Sequence, residues 1–171
     1  EDLAILLAGS VTNDAGQFCT KPGVLFVHKK AASDFLRSFR KALEEAKRCS
    51  MLHPDIHSRY LHKLDEIRNV PNVEHQRFER FCFPYEGVIS LSTVPISVFF
   101  KEKSLQEEVF GPHAFVVIYD TLDEVNEVLK ALGGQLTISF FGEPSLITSN
   151  KTLLDTAIQM AGRIIWNGVP T

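Results

Sequence analysis

Apolar residues follow two periods along the chain, one typical of strands and one typical of helices. Val24-Leu25-Phe26-Val27 is a continuous apolar run after Pro22-Gly23, and such a run predicts a short strand buried on both faces. From Ser33 onward, apolar residues recur every three or four positions, with charged residues opposite them. This spacing predicts an amphipathic helix for which Ser33 is the N-cap.

Segments with the same two periods predict most of the remaining elements. Thr121 and Glu124 have the spacing of a capping box, in which a hydroxyl and a carboxylate bind the first free amides of a helix. Pro54 suits the first turn of another helix. Helices are therefore predicted at 2–11, after Pro54, within 99–108, after Thr121 and around 153–161, the last one closed by Gly162, and strands at 73–83, 88–92, 115–119, 135–141 and 164–166.

The order of these elements predicts the fold class. Strands alternate with helices along the chain, which indicates an α/β fold with an open, mostly parallel twisted sheet and helices on both faces. The connections between parallel strands are expected to be right-handed. A length of 171 residues is that of one domain, so 1–171 is expected to share one core.

Composition and charge exclude several classes of function. A net charge of −3 and a pI near 6.1 give no electrostatic attraction for nucleic acid or an anionic membrane. No apolar run is long enough to span a bilayer. Cys19, Cys49 and Cys82 are odd in number and irregularly spaced, which fits neither a disulfide framework nor a zinc site. We therefore expect a cytoplasmic protein with free thiols and no metal.

Two residues are candidates for chemistry. Cys19 lies in a loop between Gly16 and Gly23, where a thiol can act as a nucleophile and backbone amides can bind an oxyanion; a loop thiol of this kind can equally be inert. Glu108, just before Gly111-Pro112, is either a charged helix end or a carboxylate that binds the hydroxyls of a ribose. The histidines are scattered. His53, His57 and His62 lie on or beside the predicted helix after Pro54, and we interpret these three as solvated side chains.

Several motifs occur together and in a particular order. They are Gly16-Gln17-Phe18-Cys19-Thr20-Lys21-Pro22-Gly23, then Glu107-Glu108-Val109-Phe110-Gly111-Pro112, then Gly162-Arg163 with Asn167-Gly168-Val169-Pro170-Thr171. In this order they closely resemble successive motifs of the aldehyde dehydrogenase superfamily. Met51-Leu52-His53-Pro54-Asp55-Ile56 and Gly134-Gln135-Leu136-Thr137 resemble one branch, the α-ketoglutaric semialdehyde (2,5-dioxopentanoate) dehydrogenases.

The resemblance implies a role for each matching residue. Cys19 corresponds to the nucleophile that forms a thiohemiacetal and then a thioester with the aldehyde, and its backbone amide to an oxyanion donor. Glu108 corresponds to the carboxylate that holds the nicotinamide ribose, and Phe110 to the aromatic residue packed beside it. Phe18 and Thr20 are expected to line the substrate pocket, and Asn167 to form a structural turn near it.

The same resemblance implies the partners of the parent protein. They are NAD or NADP and a small aldehyde, with 2-oxoglutarate semialdehyde as one candidate. The family's general-base Glu-Leu-Gly-Gly motif, oxyanion asparagine, Gly-rich cofactor loop and C-terminal oligomerisation strand have no counterpart in this sequence. We therefore expect 1–171 to be the nucleophile-bearing catalytic domain of a longer, homo-oligomeric enzyme, without its cofactor-binding domain, and to be inactive alone.

Two other hypotheses stay open at the level of sequence. Cys19 could serve a cofactor-independent thiol esterase or acyl transferase, which would need a nearby base, and the nearest histidine in sequence is His28. Alternatively, the chain could be a non-catalytic domain that serves only in assembly.

Overall fold

The computed structural model describes residues 2–80 and 84–171 and contains the predicted alternation of strands and helices. The strands are β1 (Val24–His28), β2 (Glu74–Phe78), β3 (Ile89–Pro95), β4 (His113–Tyr119), β5 (Gln135–Phe140) and β6 (Ala161–Trp166). The helices are α1 (Asp2–Thr12), α2 (Lys29–Glu45), α3 (Pro54–Arg68), α4 (Ile96–Lys101), α5 (Leu122–Leu132), α6 (Pro144–Ser149) and α7 (Lys151–Met160). Residues 81–83, the end of the strand predicted at 73–83, lie outside the described residues.

The strands form one sheet of four and one sheet of two. The larger sheet has the order β1-β4-β3-β2, in which β1, β4 and β3 are parallel and β2 is an antiparallel edge. β5 and β6 form a separate parallel pair. The predicted fold class, α/β with a mostly parallel sheet, is confirmed.

Helices cover both faces of the larger sheet. Because successive side chains of a strand point to opposite faces, β4 contributes Ala114 and Val116 to one core and Phe115 and Val117 to the other. The first core also contains six buried residues of α1 and α2: Ala4, Leu7, Ala8, Val11, Phe39 and Leu43. The second contains buried residues of α3, α4, α5 and α7: Tyr60, Leu64, Ile67, Ile96, Phe99, Val125, Val128, Leu129, Leu153 and Ala157.

Two predictions around β1 are wrong. α2 begins at Lys29, not at Ser33, because the ring of His28 accepts a hydrogen bond from the amide of Lys30 at 3.2 Å and caps the helix directly at the end of β1. β1 itself packs on both faces, with Val24 and Phe26 against one core and Leu25 and Val27 against the other, but it is not fully buried as predicted. All five of its residues are half-buried, since the edge of β1 that faces away from β4 borders an open cleft.

The boundaries of two other helices also differ from the prediction. The segment 99–108 is not one helix, because Gln106 donates hydrogen bonds to the carbonyls of Phe99 at 2.8 Å and Phe100 at 2.9 Å and closes α4. Gly162 does not end α7 but lies within β6, where a Cβ would come 3.3 Å from the carbonyl oxygen of Leu136 in β5. The capping box at Thr121 is confirmed.

Candidate functional site

The loop that carries the cysteine, residues 17–23 and hereafter the cysteine loop, is a tight turn. The amide of Lys21 donates to the carbonyl of Phe18 at 3.0 Å, so Cys19 and Thr20 occupy the two corner positions of the turn. The side chain of Cys19 is exposed. The turn therefore presents the thiol to solvent instead of packing it into the core.

The approach to the cysteine loop is fixed by unusual backbone angles and by one glutamine. Asp14, Ala15 and Gly16 have φ values of 45°, 54° and 65°, all in the left-handed region, and they reverse the chain sharply after α1. The side chain of Gln17 donates to the carbonyl of Asp14 at 3.0 Å and accepts from the amide of Leu52 at 3.0 Å. These bonds hold the loop to two separate parts of the chain.

The second motif, residues 107–112 and hereafter the glutamate segment, separates two adjacent carboxylates. Both glutamates line the same cleft as Cys19, but Glu107 also pairs with Lys63 of α3 at 2.5 Å, whereas no ion pair engages Glu108 among the described residues. Val109 is 6% exposed and anchors the segment in the core between the exposed side chains of Glu108 and Phe110. Buried and exposed side chains thus alternate along the segment, and the side chain of Glu108 is accessible to a ligand.

Glycines allow the two motifs to meet backbone against backbone. A Cβ at Gly16 would lie 2.4 Å from the carbonyl carbon of Gly111 and 2.6 Å from the nitrogen of Pro112. A Cβ at Gly111 would lie 2.4 Å from the ring of Tyr60, which is fully packed in the core. Real Cβ atoms do not approach other atoms this closely, so the contact requires glycine at both positions.

The parallel register brings both motifs to one edge of the sheet. β1 and β4 are parallel neighbours, with Val24 opposite Phe115, and the cysteine loop precedes β1 as the glutamate segment precedes β4. The site therefore lies at the amino ends of these strands, whereas ligands in open α/β sheets usually bind at the carboxyl ends. The ammonium of Lys21 donates to the carbonyl of His113 at 2.6 Å across this edge.

Cys19, Lys21 and Glu108 line a single cleft of about 910 Å³. Its walls include β1 and β5, and in the described part of the chain β1 pairs with β4 alone and β5 with β6 alone. Most of the other lining residues are apolar. Phe18, Thr20 and Phe110, the remaining residues expected at the site, are exposed or half-exposed and are not among those that line the cleft.

The cleft suits the nicotinamide half of a dinucleotide. Glu108 offers an exposed carboxylate that can accept bonds from ribose hydroxyls, and apolar walls can pack against a flat ring. The sequence contains no Gly-rich dinucleotide fingerprint that would bind the pyrophosphate. Among the described residues no cluster of histidine, cysteine or acidic side chains is arranged to hold a metal ion, and no helix is long and apolar enough to cross a membrane.

Sequence reasoning missed Lys21, which stands two positions after the cysteine. Its burial in the cleft lowers the pKa of the ammonium to about 8, and the charge of Glu108 acts in the opposite direction. A lysine inside the Gly-flanked motif was the only available signal. The turn at Asn167 does have a structural role, because its side chain accepts from the amide of Gly142 at 2.8 Å and donates to the carbonyl of Gly142 at 3.1 Å, joining the ends of β5 and β6.

A buried polar network lies beneath the cleft. The hydroxyl of Tyr60 donates to the carbonyl of Val88 at 2.6 Å and lies 3.1 Å from the hydroxyl of Ser90, which is 2.9 Å from the ring nitrogen Nδ1 of His113. Burial holds the pKa of His113 well below its ordinary value, and the charge of Lys21 lowers it further. Burial and the charge of Arg77 lower the pKa of the neighbouring His75 to about 4.

These two histidines predict that the fold loses stability in mild acid. The folded state keeps them neutral, whereas the unfolded chain protonates them near pH 6.5, so the free energy of unfolding falls as the pH drops from about 6.5 toward 4. Thermal unfolding followed at several pH values checks this. The acid-induced loss of stability should be smaller in His75→Gln, in which the glutamine can still reach Ser92. It should be unchanged in His62→Gln, because the ring of His62 is exposed. Equal pH dependence in all three proteins would contradict the prediction.

Comparison with known proteins identifies the class that this fold and site define. The model of the aldehyde dehydrogenase family matches residues 2–143, and the chain therefore belongs to this family. The chain is 32% identical to alpha-ketoglutaric semialdehyde dehydrogenase 2 of Azospirillum brasilense over 164 residues, which is 95% of this chain and 31% of that protein. It is 30% identical to alpha-ketoglutaric semialdehyde dehydrogenase of Acinetobacter baylyi over 186 aligned residues, covering 100% of this chain and 33% of that protein.

The chain thus spans about a third of the length of these curated relatives. Solved structures share its fold at lower identity. Proline Utilization A of Bradyrhizobium japonicum matches with a TM-score of 0.80 at 20% identity, covering 99% of this chain and 18% of that one. Aldehyde dehydrogenase 21 of Physcomitrella patens, in complex with the reaction product succinate, matches with a TM-score of 0.74 at 18% identity, covering 100% of this chain and 36% of that one. At these identities the likeness establishes the fold alone.

Proposed function

We propose that the chain supplies the nucleophile and part of the nicotinamide site of an NAD(P)-dependent aldehyde dehydrogenase. The observation that carries this proposal is the placement of Cys19 and Glu108 in one cleft, although they are 89 positions apart in the sequence. A structural cysteine would have no need of an exposed corner position in a cleft that also contains an exposed carboxylate. Membership of the aldehyde dehydrogenase family supports the oxidation of an aldehyde, and the separate roles of the two residues are part of the proposal.

The chemistry at Cys19 follows from its position. Its thiolate attacks the carbonyl carbon of the aldehyde, a carbon–sulfur bond forms, and the carbonyl electron pair moves to the oxygen, which the backbone amide of Cys19 binds. When bound, NAD or NADP would supply the hydride acceptor that oxidation of this carbon requires. Cys19 then holds a thioester, and water hydrolyses it to the carboxylic acid and the free thiol. Glu108 would hold the ribose. Phe18, Thr20 and Phe110 do not line this cleft, so the contacts proposed for them with substrate and cofactor are not formed by the cleft itself.

The other catalytic groups come from elsewhere in the full-length protein. Among the described residues, the carboxylates that line the cleft are those of Glu107 and Glu108, and Glu107 is paired with Lys63. Neither is available to activate water beside Cys19. We therefore propose that 1–171 is the nucleophile-bearing part of a larger, homo-oligomeric enzyme and that it does not oxidise aldehydes alone.

The named relatives favour a substrate class. Both are alpha-ketoglutaric semialdehyde dehydrogenases, so we propose a small aldehyde that also carries a carboxylate, such as 2-oxoglutarate semialdehyde. A thiol esterase or acyl transferase at Cys19 is the weaker candidate, because no histidine except His28 lines the cleft among the described residues.

A comparison of two activities tests the proposal. The full-length protein that contains this chain should reduce NAD or NADP in the presence of 2-oxoglutarate semialdehyde, and the 171-residue chain should not. Ester hydrolysis without NAD(P), in the absence of any aldehyde oxidation, would support the esterase alternative and overturn the dehydrogenase. Robust oxidation by the 171-residue chain would show that the cleft already holds a complete catalytic site.

A further inference from the structure

Lys21 lies in the cleft but has no part in the chemistry proposed above. It belongs to the cysteine loop, yet its ammonium donates to the carbonyl of His113, the first residue of β4, at 2.6 Å. Lys21 lines the cleft, as do Cys19 and Pro22 of the same loop. This bond fixes the position of the charge at the edge of the sheet, directly after the glutamate segment.

The charges around Lys21 connect it with one particular carboxylate. Desolvation lowers the pKa of its ammonium to about 8, and the negative charge of Glu108 opposes that shift. The adjacent Glu107 also lines the cleft but is paired with Lys63 at 2.5 Å, and Lys63 contacts Glu66 at 3.2 Å as well. Glu107 thus has Lys63 as its partner, whereas Lys21 is the lysine that lines the cleft together with Glu108.

We propose that Lys21 is a positioning residue for Glu108. Its ammonium, held by the carbonyl of His113, attracts the carboxylate of Glu108 over the cleft and keeps it where it can accept hydrogen bonds from the hydroxyls of a nicotinamide ribose. This role rests on the proposed function, because it assumes that Glu108 binds that ribose. An exposed glutamate without a fixed cation nearby would have to be ordered by the cofactor itself, at a cost in side-chain entropy.

The position of Lys21 also links two parts of the site. Because Lys21 follows Cys19 by two residues in the same turn, the cation proposed to orient Glu108 and the thiol belong to one loop. A single loop thus sets the distance between the nucleophile and the group that holds the ribose. The glycine contact between Gly16 and Gly111 supports the same alignment from the other side.

The first arm of the test measures the charge interaction without any activity. Trace acetylation with acetic anhydride, followed by mass spectrometry of the Lys21 peptide at increasing pH, gives the ionisation midpoint of this lysine in the full-length protein. The midpoint should fall by roughly half a unit or more in Glu108→Gln, because the carboxylate that stabilises the ammonium is lost. Glu107→Gln is the matched control and should move the midpoint of Lys63 only.

The second arm measures cofactor binding by titration calorimetry with NAD and with NADP. Lys21→Met and Glu108→Gln should each weaken binding about tenfold, and the double variant should be no weaker than Glu108→Gln alone, because residues that act through one another are not additive. Lys21→Arg should restore most of the affinity. If Lys21 had only a structural role, the losses of NAD(P) affinity in the two single variants would multiply in the double variant. Lys21→Met and Lys21→Arg would then also lower the melting temperature equally.

The outcomes separate the two proposals. If the wild-type protein binds NAD(P) but the Lys21 midpoint is the same in Glu108→Gln, or the losses of affinity multiply, the positioning role is overturned and the proposed function stands. If the wild-type protein binds neither NAD nor NADP, the proposed function fails, and the role of Lys21 fails with it.

Discussion

Cys19→Ala should abolish aldehyde oxidation by the full-length protein that contains this chain. We expect kcat to fall by roughly 10⁴-fold or more, because an alanine cannot form the thiohemiacetal and the two-step reaction loses its covalent route. Binding of NAD and NADP should change little, since Glu108 and the cleft walls do not depend on the thiol. Steady-state kinetics and calorimetry on the same preparation measure both quantities.

Cys49→Ala is the control for this variant. Cys49 is half-buried and packs against the core, whereas Cys19 is exposed at the corner of the turn. Activity should persist in Cys49→Ala, and iodoacetamide at neutral pH should modify Cys19 faster than Cys49 in the wild-type protein. Oxidation that survives in Cys19→Ala would show that this thiol is not the nucleophile, and the assignment of the whole cleft would have to be abandoned.

The sequence predicted the two ends of the site but not how they meet. Glycines around Cys19 indicated a loop open to a substrate, and the order of the motifs supplied Glu108. Nothing local indicates that Gly16 touches Gly111, because that contact depends on the parallel register of β1 and β4. Lys21 was missed for the same reason, since the carbonyl that holds it lies 92 residues further along the chain.

The errors in the fold have a similar origin. Ser33 and His28 are both able to cap a helix, and the choice depends on where β1 ends, which apolar periodicity does not specify. Gly162 is a common residue after a helix, but here the approach of Leu136 from β5 explains it. Elements with strong local chemistry, such as the Thr121 capping box and Pro54 at the start of α3, were predicted correctly.

The site is therefore assembled by contacts between segments distant in sequence, and glycine is the residue that makes the closest of them possible. The backbone segments at Gly16 and Gly111 meet at the amino edge of the sheet with no side chain between them. This arrangement places the thiol loop and the glutamate segment at a fixed separation, and any side chain at the contact would increase that separation. The geometry of the site should thus be more sensitive to one added methyl group than to the loss of an exposed polar side chain.

Gly16→Ala should consequently be among the most damaging small substitutions in the chain. The new Cβ would lie 2.4 Å from the backbone of Gly111, and the φ of 65° is one that an L-residue adopts with strain. Overpacking and the left-handed angle together should lower the free energy of unfolding by roughly 3 kcal/mol. Displacement of the cysteine loop should also slow the modification of Cys19 and raise the dissociation constant for NAD(P). Urea unfolding and the rate of thiol labelling measure these effects.

Gly9→Ala provides the matched control, since it adds the same methyl group to the same stretch of chain. Gly9 lies inside α1, and a Cβ there would meet nothing within 4 Å. The substitution should raise stability by about 0.5–1 kcal/mol, because alanine favours the helix, and should leave the labelling of Cys19 unchanged. If Gly16→Ala were as well tolerated as Gly9→Ala, the two motifs would have to have room between them. The close contact that aligns Cys19 with Glu108 would then not exist in solution.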